Sequence, residues 1–367
     1  MSSIEWGEFR LGDLFDVSGS KTTSKSYLEK IGKGDYPYIT TQAINNGIAG
    51  FYNYFTEQGN CLTIDSAVLG TCFWQNKNFS ASDHVEILRP KNFTLNQKIA
   101  LFFISLLNKN ASILGYSYGM KRNQSRIKNE NILLPITHNG EIDFEFMESF
   151  IAELEAERVA ELEAYLAAAS LKDYELTAAE LFALSKFENY NWGEFRIGDL
   201  FEIKTPKKRF DANKIKFGGL YPYVVRTSTN NGIRGYITEN IDFLNEKNTI
   251  SFGQDTATTF YQKSEYFTGD KIKVFKLKDY ELNSKIANFL ISVMTKAFSN
   301  FSWGSSSFNV KVLNEVKILL PLNKNGEIDF EFMNNFIKAI EKLVIKDVVL
   351  YTDNKIKATK SIVSSNQ

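Results

Sequence analysis

The nonapeptide NGEIDFEFM occurs twice, unchanged, at Asn139–Met147 and at Asn325–Met333. It is the strongest of a series of matches that recur in fixed order. WGEFRLGDLF from Trp6 returns as WGEFRIGDLF from Trp192, YPYIT from Tyr36 as YPYVV from Tyr221, and NNGIAGFY from Asn45 as NNGIRGYI from Asn230. Further on, NQKIALFFISLLNK from Asn96 parallels NSKIANFLISVMTK from Asn283, and ILLP recurs at Ile132 and Ile318. The offset stays between 185 and 187. That period is far too long for a solenoid unit, so one whole module is used twice.

Each module reads the same way. A Trp-anchored opening leads into short strand-like runs broken by Asn-Gly and glycine-rich turns. A helix follows, with Ile99, Phe102, Phe103, Leu106 and Leu107 at helical spacing in the first copy. Next comes a buried strand, NILLP or KILLP, closed by Pro135 or Pro321, and then the nonapeptide. Asn139-Gly140 reads as a turn and Asp143 as an N-cap whose carboxylate accepts the free amides of a first helical turn. Ile142 and Met147 then stand at the spacing of a hydrophobic staple, and Glu145 suits the positive end of the helix dipole. Ile328, Asp329, Glu331 and Met333 repeat the arrangement, so the nonapeptide is read as a helix launcher with buried phenylalanines and methionine.

The helices it launches are long. FEFMESFIAELEAERVAELEAYLAAA has no Gly or Pro and is rich in strong helix formers. Taken as Asp143 to Ala169, it spans ~40 Å at the helical rise per residue. The second copy sets Met333, Ile337, Ile340 and Val344 at coiled-coil spacing, interrupted later by Asp347. Charge supports pairing. Glu141–Glu163 holds nine acids and one base, whereas Lys338–Lys360 holds six lysines against three acids. The rest of the chain outside the acidic block carries 42 basic and 34 acidic residues, so the zero net charge conceals a basic protein. The expected architecture is α+β: two tandem mixed α/β domains, each followed by a long helix. The helices pair as an antiparallel coiled coil with pseudo-two-fold symmetry. The expected boundaries are 1–140 and 187–326 for the domains, and 141–186 and 327–367 for the long-helix regions.

Several classes are disfavoured. No apolar run approaches a membrane span and the amino terminus lacks a signal pattern, which places the chain in the cytoplasm. Cys61 and Cys72 form no CxxC motif, and with only His84 and His138 beside them a His/Cys metal site is not expected. None of the six prolines is followed by another, so the [DNS]PP[YFW] motif of amino-group methylation is absent. There is no GxxxxGK[ST] loop for ATP. Asp83-His84 is the only adjacent acid–histidine pair, and module 2 has Asp270-Lys271 in its place. No catalytic residue is expected.

Two copies of a mixed module, each followed by a long helix, resemble the specificity subunit of type I restriction–modification enzymes. The WGEFRxGDLF openings, the KRNQSRIKNENILLP run and the ELEAERVAELEAYL helix are similar to that family in residues as well as layout. The related recognition subunits of type IIB restriction enzymes share the plan. The resemblance implies that each module is a target-recognition domain reading one part of a split double-stranded DNA target, with the two helices as its spacer; the first helix would span roughly 12 base pairs of B-DNA. It also implies that the helices dock two methyltransferase subunits, joined for restriction by an ATP-driven nuclease–translocase subunit. S-adenosylmethionine, ATP and magnesium would belong to those partners, leaving this chain without a cofactor.

Phosphate contacts need Lys, Arg and amide-rich loops, and base reading needs polar side chains that reach groove edges. Three loop families meet that description. The first offers Lys21 and Lys25 in module 1, and Lys204, Lys207, Lys208 and Arg209 in module 2, the latter four a candidate phosphate clamp. The second offers Thr41 and Gln42 against Arg226, Thr227 and Ser228, beside Asn-Gly pairs that read as turns. The third sets Tyr118, Lys121, Arg122, Asn123 and Gln124 against Trp303, Ser305, Ser306 and Ser307. The modules agree in their structural runs and differ in these loops, so the expected target is asymmetric. A stand-alone nuclease or modification enzyme, and a duplicated protein-binding scaffold, are the alternatives; autonomous activity on DNA would mark the first, and absence of salt-sensitive DNA affinity the second.

Overall fold

The computed structural model describes residues 4–299 and 308–365. They divide into two compact units, one reaching to Leu162 and the other running from Glu163 to Lys360. The division falls inside the first long helix, Phe144–Ala168, and not at the turn that precedes it.

The first unit holds three small sheets. Its opening strand Glu5–Arg10 pairs antiparallel with Asn131–Ile136, from Glu5 opposite Ile136 to Arg10 opposite Asn131. A four-stranded antiparallel sheet runs in the order Phe15–Gly19, Val85–Pro90, Cys61–Asp65, Cys72–Gln75. A three-stranded sheet sets Tyr36–Ile39 between Ile48–Tyr52 and Ser80–Ala81. The helix Gln97–Leu114 starts where Asn96 Oδ1 accepts the Ile99 amide at 3.0 Å and ends at Gly115, whose φ of 68° places it in the left-handed region. Its buried face, Ile99, Phe102, Phe103 and Leu107, packs on Phe15, Leu62 and Leu134. Removing each such side chain from water contributes roughly 1.5–3 kcal/mol.

The second unit repeats this topology strand for strand. Trp192–Arg196 pairs with Lys317–Pro321, and the four-stranded order becomes Phe201–Lys204, Ile272–Leu277, Thr249–Gly253, Thr259–Gln262. The three-stranded sheet is Ile233–Ile237, Phe217–Val224, Phe267–Thr268, and the helix is Ser284–Phe298. Both Asn-Gly pairs are turns, with Asn46 and Asn231 left-handed at φ 52° and 53°. A buried glutamine fixes each turn. Gln75 Nε2 donates to Asn46 O at 3.1 Å, and Gln262 Nε2 to Asn231 O at 3.1 Å.

The nonapeptide behaves as a launcher in both copies. Asp143 Oδ1 accepts the Phe146 amide at 2.8 Å, and Asp329 Oδ1 the Phe332 amide at 2.8 Å. Such a cap contributes about 1 kcal/mol. Met147 and Met333 are fully buried, with Ile142 and Ile328 packed on the same cores. Of the phenylalanines only Phe332 is buried; Phe144, Phe146 and Phe330 are half-exposed.

The second long helix, Phe330–Ser365, departs from the expected seam. Ile340 is 38% exposed and Val344 72%, whereas Ala339, Val349 and Thr352 are buried. Met333 is buried and Ile337 packs on the module 2 core as expected, so the seam is lost only beyond them, and Thr352 satisfies its hydroxyl on Val348 O at 2.9 Å. Within this unit, the chain that follows the first helix runs antiparallel to the second. Lys172 pairs with Glu163 and lies 3.7 Å from Asp353, Lys342 binds Asp173 at 2.8 Å and Glu180 at 3.1 Å, and Phe187 stacks on Phe336 at 4.3 Å.

Candidate nucleic-acid interface

In module 2 the four-stranded sheet delivers Lys204 from the end of its first strand, and the loop beyond carries Lys207, Lys208 and Arg209. These bases already have partners. Lys204 lies 3.0 Å from both Glu202 and Glu246, which raise its ammonium above the ordinary value. Lys207 Nζ is 3.5 Å from Asp242 O. Lys208 sits 4.8 Å from the ring centres of Phe210 and Phe243, and Arg209 binds Asp270 at 2.7 Å. Two members of the expected clamp, Lys204 and Arg209, are therefore in surface ion pairs, each worth about 0–1 kcal/mol and exchangeable for phosphate, while Lys207 and Lys208 rest on a carbonyl and on aromatic rings.

Arg209 shares an open cleft of about 720 Å³ with Arg226 and Thr227, bringing the first and second loop families together. Asp211, Arg234, Thr256 and Asp270 also line it and were not anticipated. A signal for Arg234 existed: it stands in NNGIRG where module 1 has Ala49 in NNGIAG. Arg226 pairs with Asp255, which also accepts Lys271 Nζ at 2.9 Å. Thr227 Oγ1 lies 3.2 Å from Thr229 Oγ1, and Ser228 is exposed.

In module 1, Lys21 and Lys25 are exposed; the Lys21 amide donates to Glu57 Oε1 at 2.6 Å, and Lys25 lies 3.7 Å from Glu29. Thr41 is half-buried, and Gln42 spends its amide donor on Ile48 O at 2.6 Å, holding its own loop. Tyr118 is 79% exposed, with Lys121 Nζ 5.7 Å from its ring centre. Asn123 caps the short helix Gln124–Asn129 through the Arg126 amide at 3.0 Å.

Arg122 is a correction. It is 1% exposed and cannot touch DNA in this conformation. Its Nε donates to Glu130 Oε1 at 2.8 Å, its Nη2 to Glu130 Oε2 at 2.5 Å and its Nη1 to Gly70 O at 2.7 Å. Nε and both terminal nitrogens thus each donate within the core. Trp303, Ser305, Ser306 and Ser307 lie outside the described residues.

One strand position differs in sign between the modules. Glu86 lies opposite Gly19 in the strand pairing of module 1, and its equivalent, Lys273, donates to Thr205 Oγ1 at 2.8 Å. Burial pushes the Glu86 carboxyl above its usual range, with Gln124, Ser66 and His84 acting against the shift. Gln124 and Ser66 lie close, yet Oε2 receives no well-formed hydrogen bond, so burial prevails. For Lys273, burial and then the Arg209 charge lower the ammonium. A carboxylate only accepts and an ammonium only donates, so the two positions differ in hydrogen-bonding sense, although Glu86 is itself buried.

Asp83-His84 is a tight turn. His84 takes φ 60° and Lys271 repeats it at 55°. Among the described residues no cluster of three or more His, Cys, Asp or Glu is placed to hold a metal ion, and no helix is long and apolar enough to cross a membrane.

The model of the type I restriction modification DNA specificity domain matches this chain twice, over residues 3–164 and 189–350. The specificity subunit of the type II restriction enzyme BcgI from Heyndrickxia coagulans is 25% identical over 348 residues, 93% of this chain and 96% of that protein. A putative type I specificity subunit of Mycoplasma pneumoniae is 29% identical over 99 residues, a 27% share of each chain. The crystal structure of the type I restriction-modification system S subunit from M. genitalium matches with a TM-score of 0.62 at 16% identity, covering 100% of this chain and 96% of that one. That last likeness concerns the fold. The two family matches, one per module, account for most of the sequence, and the chain belongs to the type I restriction modification DNA specificity family.

Proposed function

We propose that this chain is the sequence-reading subunit of a restriction–modification complex, non-catalytic in itself and cytoplasmic. It reads a split, asymmetric double-stranded DNA target. The observation that carries the asymmetry is that one scaffold, built twice, bears different side chains at matched solvent-accessible positions: Thr41 against Arg226, and Ala49 against Arg234. A duplicated scaffold with identical reading positions would favour a symmetric target. The open cleft around Arg209, Arg226 and Arg234 supports phosphate or guanine contact in module 2, since Arg is suited to both.

In this reading the long helices dock two methyltransferase subunits and, where restriction occurs, a nuclease–translocase subunit. S-adenosylmethionine, ATP and magnesium act on those partners. The chain alone then neither methylates nor cuts DNA, and its affinity for DNA falls steeply with salt.

The test is a domain exchange. Lys21–Ile132 is replaced by the corresponding region of a relative, the chain is expressed with its methyltransferase, and methylated motifs are mapped across the genome. One half of the recognised sequence should change and the other persist. A change in both halves would refute separate reading by the two modules.

A further inference from the structure

The two modules differ at one place where their residues are nearly the same. In module 2, Trp192, Phe289, Phe332 and Phe336 form the wall of a groove between the opening strand, the domain helix and the start of the long helix. That groove is filled. Phe187 stacks on Phe336 at 4.3 Å and meets Trp192 edge-on at 5.3 Å, while Tyr190 stacks on Phe332 at 3.8 Å and donates its hydroxyl to Asp329 at 2.7 Å. Both rings come from the segment that follows the short helix Ala178–Lys186, itself held by a capping box at Thr177 and Glu180. Phe332 is consequently 3% exposed.

Module 1 keeps the wall, and among the described residues nothing fills it. Trp6, Phe102, Phe146 and Phe150 occupy the matched positions. They line an open apolar groove of about 840 Å³, together with Ile4 and Leu154. Trp6 is 48% exposed and Phe150 46%, whereas their counterparts Trp192 and Phe336 are half-buried. Apolar side chains this large, contiguous and open on a soluble domain mark an interaction site. Its twin supplies the shape of the occupant: a short helix followed by two aromatic rings three residues apart.

The charge around the groove has changed as well. Ala339 and Lys342 of module 2 correspond to Glu153 and Ala156 of module 1. Lys342 is what receives Glu180 of the filling segment, at 3.1 Å. Module 1 therefore offers an acidic wall where module 2 offers a basic one, and Glu153 lines the open groove itself.

We propose that the module 1 groove docks a partner protein through a short helix ending in an aromatic pair with basic flanks. The two rings seat against Trp6, Phe146 and Phe150 as Phe187 and Tyr190 seat against Trp192, Phe332 and Phe336. The flank faces Glu153. This docking is independent of which bases the modules read.

The probe is a labelled synthetic peptide of residues 177–191, added to the full chain and followed by fluorescence anisotropy. The peptide should bind saturably, and Phe150→Ala or Trp6→Ala should weaken it at least about tenfold, the scale of a truncated aromatic anchor. Both side chains are half-exposed, so circular dichroism of the variants should match the parent. A peptide carrying Phe187→Ala and Tyr190→Ala should not bind. One carrying Glu188→Lys, which leaves the Thr177–Glu180 cap intact, should bind more tightly than the native peptide at low salt, with the difference lost at high salt. Absence of binding, binding indifferent to Phe150→Ala, or no gain from the basic flank would overturn the proposal. So would a dimer of the chain that Phe150→Ala dissolves in sedimentation, because the occupant would then be a second copy.

Discussion

Arg122 and Glu130 are sealed in the module 1 core, with side chains 0% and 3% exposed. At the matched positions module 2 has Phe308 and Val316. The same scaffold thus holds an ion pair in one copy and an apolar pair in the other, Phe308 packing 5.3 Å from Phe252 and 5.7 Å from Phe298. Replacing Arg122 by Met removes three hydrogen bonds and leaves the Glu130 carboxylate with the Tyr116 hydroxyl, at 2.8 Å. Breaking a buried pair in this way costs about 3–5 kcal/mol, whereas replacing both partners by apolar residues is often close to neutral. Arg122→Phe with Glu130→Val should therefore recover most of the loss. A remaining deficit of about 1–3 kcal/mol is expected because Gly70 O keeps no donor. The assay is native-state hydrogen exchange on the full chain, read at Cys61–Asp65 and Asn131–Ile136, with Thr249–Gly253 as the internal control. At about 4 kcal/mol, the single variant should speed global-opening exchange in module 1 by ~1,000-fold and leave module 2 unchanged. An increase below about tenfold, or a double variant as damaged as Arg122→Met, would refute the argument. The double variant should also keep the module 1 half-site, since Arg122 serves the core.

Two further outcomes follow from burial. Cys61 and Cys72 are free and buried, and burial pushes both thiols up to about 12. The native chain should therefore resist a thiol-specific reagent at pH 8 and react at both sites once unfolded; rapid native labelling would contradict the packed sheet. Glu86 has a native pKa raised by burial, so folding is favoured below the unfolded value of about 4.3 and that advantage fades as pH rises through the native value. Glu86→Gln should gain stability relative to the parent over that rise, read as a growing difference in urea midpoint; a difference independent of pH would show that the carboxyl is not desolvated.

Much of the fold was legible because the chain carries its own comparison. Matched runs marked the strands, the domain helix and the launcher, and Asp143 and Asp329 cap as their spacing indicates. The misjudged positions share one physical cause, which is that residue type does not reveal burial. Ile340 and Val344 look like a seam and face outward, while Ala339 and Thr352 face inward. Arg122 looks like a DNA contact because its partner, Glu130, stands eight residues away across a helix. The pairing of that change with Glu130 against Val316 was the available sign, since a compensated exchange between copies belongs to a core. Arg234 was overlooked for the opposite reason, as a lone change inside a run that otherwise repeats.

The ion pairs of the two modules show why burial decides function. Arg122–Glu130 and Arg226–Asp255 are both arginine–carboxylate contacts. In the first, both partners are enclosed, no phosphate can approach, and the pair only holds the fold. In the second, the side chains are 35% and 33% exposed beside an open cleft. Water screens such a pair, so its net worth is about 0–1 kcal/mol, and an incoming phosphate or guanine can take the guanidinium at little cost. In the proposed DNA-reading role of this cleft, Asp255 is a placeholder: it orders the arginine before DNA arrives and yields on contact. Arg209–Asp270, more exposed on the same cleft, is open to the same exchange. A basic loop rich in internal ion pairs is therefore compatible with DNA reading wherever the pairs open to solvent, and incompatible with it where they close.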